Sequence, residues 1–289
     1  MKQAIRLSLL VALAVVLTAS PAFAASKPSS PRTVSPLGID ISYPQCKKTV
    51  PSSQAFGIVG VNGGTAAKPN PCLAKQLTWA SKSTGYGSQD KIQLYVNTAS
   101  PGSYISSIDT WPTSNADPSN FTPFNPYGSC LGTDTTACAW QYGWNRAYAA
   151  VNEYFTPAAK QAGIDHDSSK YVWWLDVETI NTWHDGSEFE GFEKNVASLE
   201  GMTSYYDAIG AKAVGLYSTN YQWGLIVGDA VGETSVLQNR NTWYALGSAT
   251  KETAKAACTS DKYHPLTKSS AIVLTQFVAN NLDYNHSCV

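Results

Sequence analysis

The sequence predicts a single α/β domain built on a parallel sheet, of a size that commonly closes as one barrel, and three observations carry that expectation. Short β-branched and aromatic runs alternate with stretches of helical periodicity, the mark of βα units. The chain has 289 residues, 43% of them hydrophobic, enough for one large core of the kind that barrels of roughly 250 residues enclose. Only 14% are charged, well below the roughly 25% of an average soluble domain, which argues against disorder. Twenty Lys and Arg against 21 Asp and Glu leave a net charge of −1, so no positive excess is available to hold nucleic acid.

The strands expected in order are 37–42, 56–62, 91–97, 171–177, 213–218, 242–246 and 271–278, each apolar with β-branched or aromatic content. Between them, Asn70-Pro71 offers an N-cap and a first-turn proline ahead of Leu73, Leu77 and Ala80 on one face, running until Gly85. A second helix is expected from about Trp140 to Phe155, with Thr156-Pro157 as a cap and restart. Phe189, Phe192, Val196, Leu199, Met202, Tyr206 and Ile209 recur every three or four residues and lead through Gly210 into the next strand, the pattern of a βαβ crossover. Residues 101–139 carry neither period and are dense in Pro, Ser, Asn, Thr and Asp. They are expected to form a long ordered insertion after the third strand, held by a local disulfide and placed either as a lid or as a surface loop.

The first 24 residues have the form of a secretory leader. Lys2 and Arg6 precede an apolar run over 7–17, and Ala22-Phe23-Ala24 supplies the small residues a signal peptidase requires. The run is too short to span a bilayer comfortably, and no later segment reaches about 20 apolar residues, so no membrane contact is expected once the leader is removed. Residues 25–37, rich in Ser and Pro, read as a tether, and residues 38–289 as the folded domain. The expected location is secreted, extracellular or cell-wall-associated, and the expected state a monomer. Six cysteines (Cys46, Cys72, Cys130, Cys138, Cys258 and Cys288) fall in the mature part without a CxxC pair, so disulfides are expected. Of about 15 possible pairings, loop closure favours Cys46 with Cys72, Cys130 with Cys138, and Cys258 with Cys288. His166, His184, His264 and His286 have no ligand spacing to the cysteines or to each other, so neither a metal nor another cofactor is expected.

The residues richest in chemical meaning are Tyr171-Val172-Trp173-Trp174-Leu175-Asp176-Val177-Glu178, an apolar strand ending in two carboxylates. Period-two alternation puts Asp176 and Glu178 on one face, which in a closed barrel is the interior, and Trp173, Leu175 and Val177 on the other. Active sites of such barrels lie at the carboxyl ends of the strands, where this pair stands. Mutual repulsion and desolvation beside Trp174 would keep one of the two protonated near neutral pH, supplying an acid and a base. Two strand steps separate their Cα atoms by about 6.6 Å, nearer the spacing of inverting glycosidases than the ~5 Å of retaining ones. Asp40, in Gly38-Ile39-Asp40-Ile41-Ser42, also points inward by alternation, and Asp283 lies just past the last expected strand. Barrel closure would bring both to the same rim.

These strings resemble the family 25 glycoside hydrolases, lysozymes that act on bacterial peptidoglycan. The resemblance spans the mature domain: Gly38-Ile39-Asp40-Ile41-Ser42, Phe56-Gly57-Ile58-Val59, Leu175-Asp176-Val177-Glu178, Gly215-Leu216-Tyr217-Ser218, Trp243-Tyr244-Ala245, and Gln276-Phe277 followed by Leu282-Asp283-Tyr284-Asn285. It implies a modified TIM-like (β/α) barrel in which Glu178 protonates the glycosidic oxygen. Asp176 would position the substrate's N-acetyl group or activate water, and Asp40 and Asp283 would be supporting acids. Tyr95, Tyr217 and Gln276 face inward by alternation as expected sugar contacts. Two departures stand out. Val61-Asn62-Gly63-Gly64 replaces a Lys-Ala-Thr-Glu-Gly-like run, and Thr275 stands where a Trp commonly precedes the final Gln.

The sequence-level expectation is therefore a secreted hydrolase of peptidoglycan or a related amino-sugar glycan. A non-catalytic glycan-binding barrel, or an extracellular protein that keeps only the fold, are the alternatives. A serine esterase is disfavoured because no Gly-x-Ser-x-Gly string occurs and no histidine has an evident orienting acid in the sequence. Asn62-Gly63-Gly64 lacks the patterns of nucleotide-binding loops and reads as a tight turn.

Overall fold

A computed structural model describes residues 37–289. The expected leader, and all of the tether except Leu37, lie outside the described residues. Eight strands form a closed barrel: β1 (Leu37–Ile41), β2 (Gly57–Gly60), β3 (Ile92–Asn97), β4 (Val172–Asp176), β5 (Ala213–Ser218), β6 (Thr242–Ser248), β7 (Ile272–Ala279) and β8 (Leu282–Ser287). Parallel pairing runs from β1 through β7 in chain order, and β8 closes the ring antiparallel to both β7 and β1. The fold is thus a modified TIM-like α/β barrel.

The eighth strand corrects the sequence reading, which ended the sheet at β7 and put Asp283 just past it. Asn280 and Asn281 both take left-handed backbone angles, φ 53° and 58°, the geometry of a two-residue hairpin whose twist matches its flanking strands. The chain therefore doubles back, and Asp283 becomes the second residue of β8, directly opposite Asp40 in the β1 register.

Strand alternation divides the core in two. Phe56, Ile58, Trp174, Tyr217, Trp243 and Leu274 form one cluster, filling the barrel. Trp173, Leu175 and Val177 join Leu94, Val96, Leu199, Met202 and Tyr206 in the larger cluster between strands and helices. The interior aromatics need strand glycines. A Cβ on Gly215 would lie 2.2 Å from the Trp174 ring, so any other residue there would expel the indole.

Helices cover the outside: α1 (Leu73–Ala80), α2 (Thr136–Ala149), α3 (Thr156–Ala162), α4 (Phe189–Ala208), α5 (Asn220–Val227) and α6 (Lys251–Ala257). Asn70 does not cap α1, whose N-cap is Cys72; its Oδ1 instead accepts from the Cys72 N–H at 3.1 Å. The second helix starts at Thr136, four residues earlier than expected, because Thr135 caps it by accepting from the Cys138 N–H. It does not stop at Thr156-Pro157 either. A π-helical turn, Ala150–Phe155, carries it into α3, and the wider register accommodates Pro157, which has no N–H to donate. Helices α2 and α4 cross closely at Gly143 and Gly201, where a Cβ would lie 1.9 Å from the carbonyl oxygens of Ser198 and Trp140 respectively.

Disulfides join Cys46 to Cys72, Cys130 to Cys138 and Cys258 to Cys288, the pairing that short loops favour. The 101–139 insertion contains one 3-10 segment, Gly102–Ser107, and its last residues begin α2.

Candidate active site

The barrel mouth holds a cavity of about 360 Å³ whose lining includes Asp40, Asp176, Glu178 and Asp283 together. Strand ends place each of them. Asp40 comes from β1, Asp176 is the last residue of β4, Asp283 enters from β8, and Glu178 lies two residues beyond β4 at the start of the following loop. Tyr95, Tyr217, Trp243 and Gln276 supply walls, so all seven residues expected to contact substrate line one cavity. No residue of the 101–139 insertion lines it.

Burial raises the pKa of all four acids. Asp40 is pushed well above the usual carboxylate range, first by desolvation and then by the Asp283 charge. Opposing this, its carboxylate accepts from Asn285 Nδ2 at 2.7 Å and from Gln276 Nε2 at 3.1 and 3.2 Å. Asp176 is also pushed well up, by burial and then by Glu178 and Asp40. For Glu178 burial outweighs the lowering by hydrogen bonds to Gln222 and Asp176, and for Asp283 it outweighs nearby Lys48. Asp176 and Glu178 also act on each other, Glu178 raising the pKa of Asp176 and Asp176 lowering that of Glu178. Two interacting carboxyl groups titrate as a pair, and Asp176 is the more buried member. Asp176 Oδ1 is buried with no hydrogen-bond partner among the described residues.

Other contacts fix the walls. Tyr217 donates to Gln276 Oε1 at 2.8 Å, and Trp243 Nε1 donates to Asn285 Oδ1 at 2.7 Å. The Trp243 ring sits at the centre of an aromatic group, 4.4 Å from Tyr217, 5.8 Å from Trp174 and 6.1 Å from Tyr95 between centroids. Gln222, in the first turn of α5, accepts from the Thr179 N–H at 2.8 Å and from its hydroxyl at 2.9 Å, so it anchors the loop that carries Glu178.

Asn285, Gln222 and the wall role of Trp243 escaped sequence reasoning. Asn285 is two residues from Asp283 and shares its inward face, a relation visible once β8 is recognised. Gln222 acts from a helix with no local signal. At the altered second strand, Asn62 turns away from the acids: its Oδ1 accepts from the Asn97 N–H at 2.7 Å and its Nδ2 donates to the carbonyls of Ala66 and Asn97.

One histidine does have an acid. His184 Nδ1 lies 2.9 Å from Ser103 Oγ, and Nε2 lies 3.3 Å from Asp134 Oδ1. The arrangement is not a nucleophilic triad. Asp134 is claimed by Lys194 at 3.2 Å, and neither Ser103 nor His184 lines the acid pocket. The network pins the insertion to α4 and the loop after β4. Among the described residues no group of three or more His, Cys, Asp or Glu side chains is disposed to hold a metal ion, and no helix is long and apolar enough to cross a membrane.

No protein-family model and no curated protein sequence matches the chain. Among solved structures it is similar to a muramidase from Trichobolus zukalii, with a TM-score of 0.47 at 14% identity over 87% of this chain and 92% of that one. A lysozyme from Streptomyces coelicolor has a TM-score of 0.45 at 14% identity, over 87% and 91% of the two chains. A glycosyl hydrolase 25 of Streptococcus pneumoniae has a TM-score of 0.43 at 14% identity, over 87% and 86%. The likeness to these proteins is one of chain path.

Proposed function

We propose that the chain is a secreted glycoside hydrolase of bacterial cell-wall peptidoglycan, of N-acetylmuramidase type, with Glu178 as general acid and Asp176 as its partner. The carrying observation is the convergence of four carboxyl groups with raised pKa at the carboxyl-end rim of a closed barrel. Glycoside hydrolysis needs one carboxyl that is protonated at working pH and a second that stays ionised. Three disulfides support an oxidising, extracytoplasmic location.

Asp176 lines the acid pocket and carries a buried Oδ1 without a hydrogen-bond partner among the described residues. That favours assistance by the substrate's own acetamido group. A sugar seated against the dyad offers its N–H to the unpartnered Asp176 Oδ1 and shields Glu178 from water. Glu178, its pKa raised by burial, delivers its proton to the leaving glycosidic oxygen while the acetamido oxygen attacks the anomeric carbon. Both carboxylates are then negative beside the cationic ring that forms. Water opens that ring, and Glu178 recovers the proton. Asp40, fixed by Asn285 and Gln276, and Asp283 on the opposite strand add negative potential at the same rim.

The products of a peptidoglycan digest test the assignment. Reduction followed by mass spectrometry is expected to find the new reducing ends as muramitol. Glucosaminitol ends would contradict a muramidase. A second reading, a barrel that binds the glycan without cutting it, draws on Asn62, whose amide is spent on backbone where the resembled family places a polar site contact. Saturable binding without new reducing ends would favour it.

A further inference from the structure

A second cavity, of about 920 Å³, opens beside the acid pocket. It is built by the loops that follow β2, β3 and β4, and so lies on the same barrel face. The two regions that depart from the resembled family make most of it: the loop after Val61-Asn62-Gly63-Gly64 supplies Lys68, and the insertion supplies Tyr104 and Asp109. The segment a few residues after Glu178, Asn181 to Trp183, contributes to its lining. Trp183, which lines the second cavity, donates from Nε1 to the Glu178 carbonyl at 2.8 Å.

Arg146 of α2 lines this cavity although it is only 8% exposed. Among the described residues no carboxylate forms an ion pair with it, and its Nε has no hydrogen-bond partner. Its contacts are the Tyr142 ring, 5.7 Å from the guanidinium carbon, and the Tyr154 hydroxyl. Those two tyrosines donate to the carbonyls of Thr65 and Ala67, which holds the β2 loop over the guanidinium. A nearly buried arginine without an acid is rare, because desolvating the charge is costly unless something pairs with it. Here the missing acid would come from a ligand. The lining also includes the exposed Lys68, Asp109 and Glu153, charges of both signs, so the groove suits a chain that carries both carboxylate and amino groups.

We infer that this groove takes the peptide substituent of the cell-wall glycan, with a peptide carboxylate on the Arg146 guanidinium and the peptide amine towards Asp109 and Glu153. The inference rests on the glycan-hydrolase reading for the identity of the polymer. On that basis a sugar at Glu178 would direct its peptide past Trp183, which is hydrogen-bonded to the Glu178 carbonyl, and the enzyme would select glycan that still bears peptides.

Calorimetry with the tetrapeptide L-Ala-γ-D-Glu-L-Lys-D-Ala tests the groove without any need for turnover. The wild type and Asp176→Asn are expected to bind it alike. Arg146→Gln is expected to lose about tenfold or more, the scale of one charge-assisted bidentate contact. Lys68→Ala, on the exposed rim, serves if Arg146→Gln does not fold, and is expected to lose a smaller factor. No binding by the wild type, or folded variants that bind as tightly as wild type, would overturn the inference. With polymer, Arg146→Gln is expected to raise KM for peptide-bearing glycan and leave kcat, and all constants for amidase-stripped glycan, unchanged. An equal loss on both polymers would also overturn it. Failure of wild type to cut either polymer counts against the hydrolase reading, and the calorimetry then still decides the groove.

Discussion

Asp176 and Glu178 line one pocket at the mouth of the barrel, with Asp176 the more buried of the two. Its pKa is raised above the unfolded value of a free aspartate, as are those of Asp40, Glu178 and Asp283. The folded state therefore binds more protons than the unfolded state between the ordinary carboxylate pKa and the raised one, and stability falls as pH rises through that window. Thermal unfolding is expected to show a Tm that declines above about pH 4. Asp176→Asn should flatten the decline and raise the Tm near neutrality by a few degrees, on the scale of about 1 kcal/mol, while abolishing activity. A variant less stable than wild type at pH 7 would contradict burial as the source of the raised Asp176 pKa.

Asn285 joins two buried groups, donating to Asp40 and accepting from Trp243 Nε1. Asn285→Ala leaves both without that partner inside the barrel. Urea unfolding is expected to show a loss of about 2–4 kcal/mol, the sum of two unsatisfied buried groups. A loss under about 0.5 kcal/mol, the range of surface changes, would mean that the barrel interior repacks freely.

Gln222 lowers the pKa of Glu178 through its hydrogen bond and anchors Thr179. Gln222→Ala removes a lowering influence, so the pKa of the proposed acid rises. The basic limb of the pH–kcat/KM profile, where the acid loses its proton, should move to higher pH. An unmoved or lower limb would separate Gln222 from the proton donor.

The disulfides should differ in consequence. Cys258 and Cys288 are 30 residues apart, and Cys130 and Cys138 are 8 apart. On chain entropy their removal as serine pairs is expected to cost about 3–4 and about 2–3 kcal/mol respectively. The Cys130–Cys138 bridge lies in the insertion, which does not line the acid pocket, so its loss should leave kcat on peptide-free glycan unchanged. A large fall in kcat would give the insertion a part in the chemistry.

Most of the barrel is legible in the sequence because buried strands carry strong apolar runs, and the inward direction of Asp40, Asp176, Glu178, Tyr95 and Tyr217 follows from counting by two. Strand β8 is the instructive exception. Its inward residues, Asp283 and Asn285, are polar because they face the site, so the usual apolar signal is absent where function is densest. Only the Asn280-Asn281 turn marks it. The early start of α2 is set by the Thr135 cap, which sits in a polar stretch without periodicity. The Arg146 groove is assembled from three loops far apart in the chain, and no local pattern could announce it.

The central claim is that Glu178 delivers a proton to a glycosidic oxygen, and the release of reducing ends from purified peptidoglycan by the protein beside Glu178→Gln tests it most directly. General acid catalysis is typically worth about 10² to 10⁴-fold, and a fall in rate of that size, with folding retained, is the expected result. A Glu178→Gln variant that cuts peptidoglycan as fast as wild type would contradict the account.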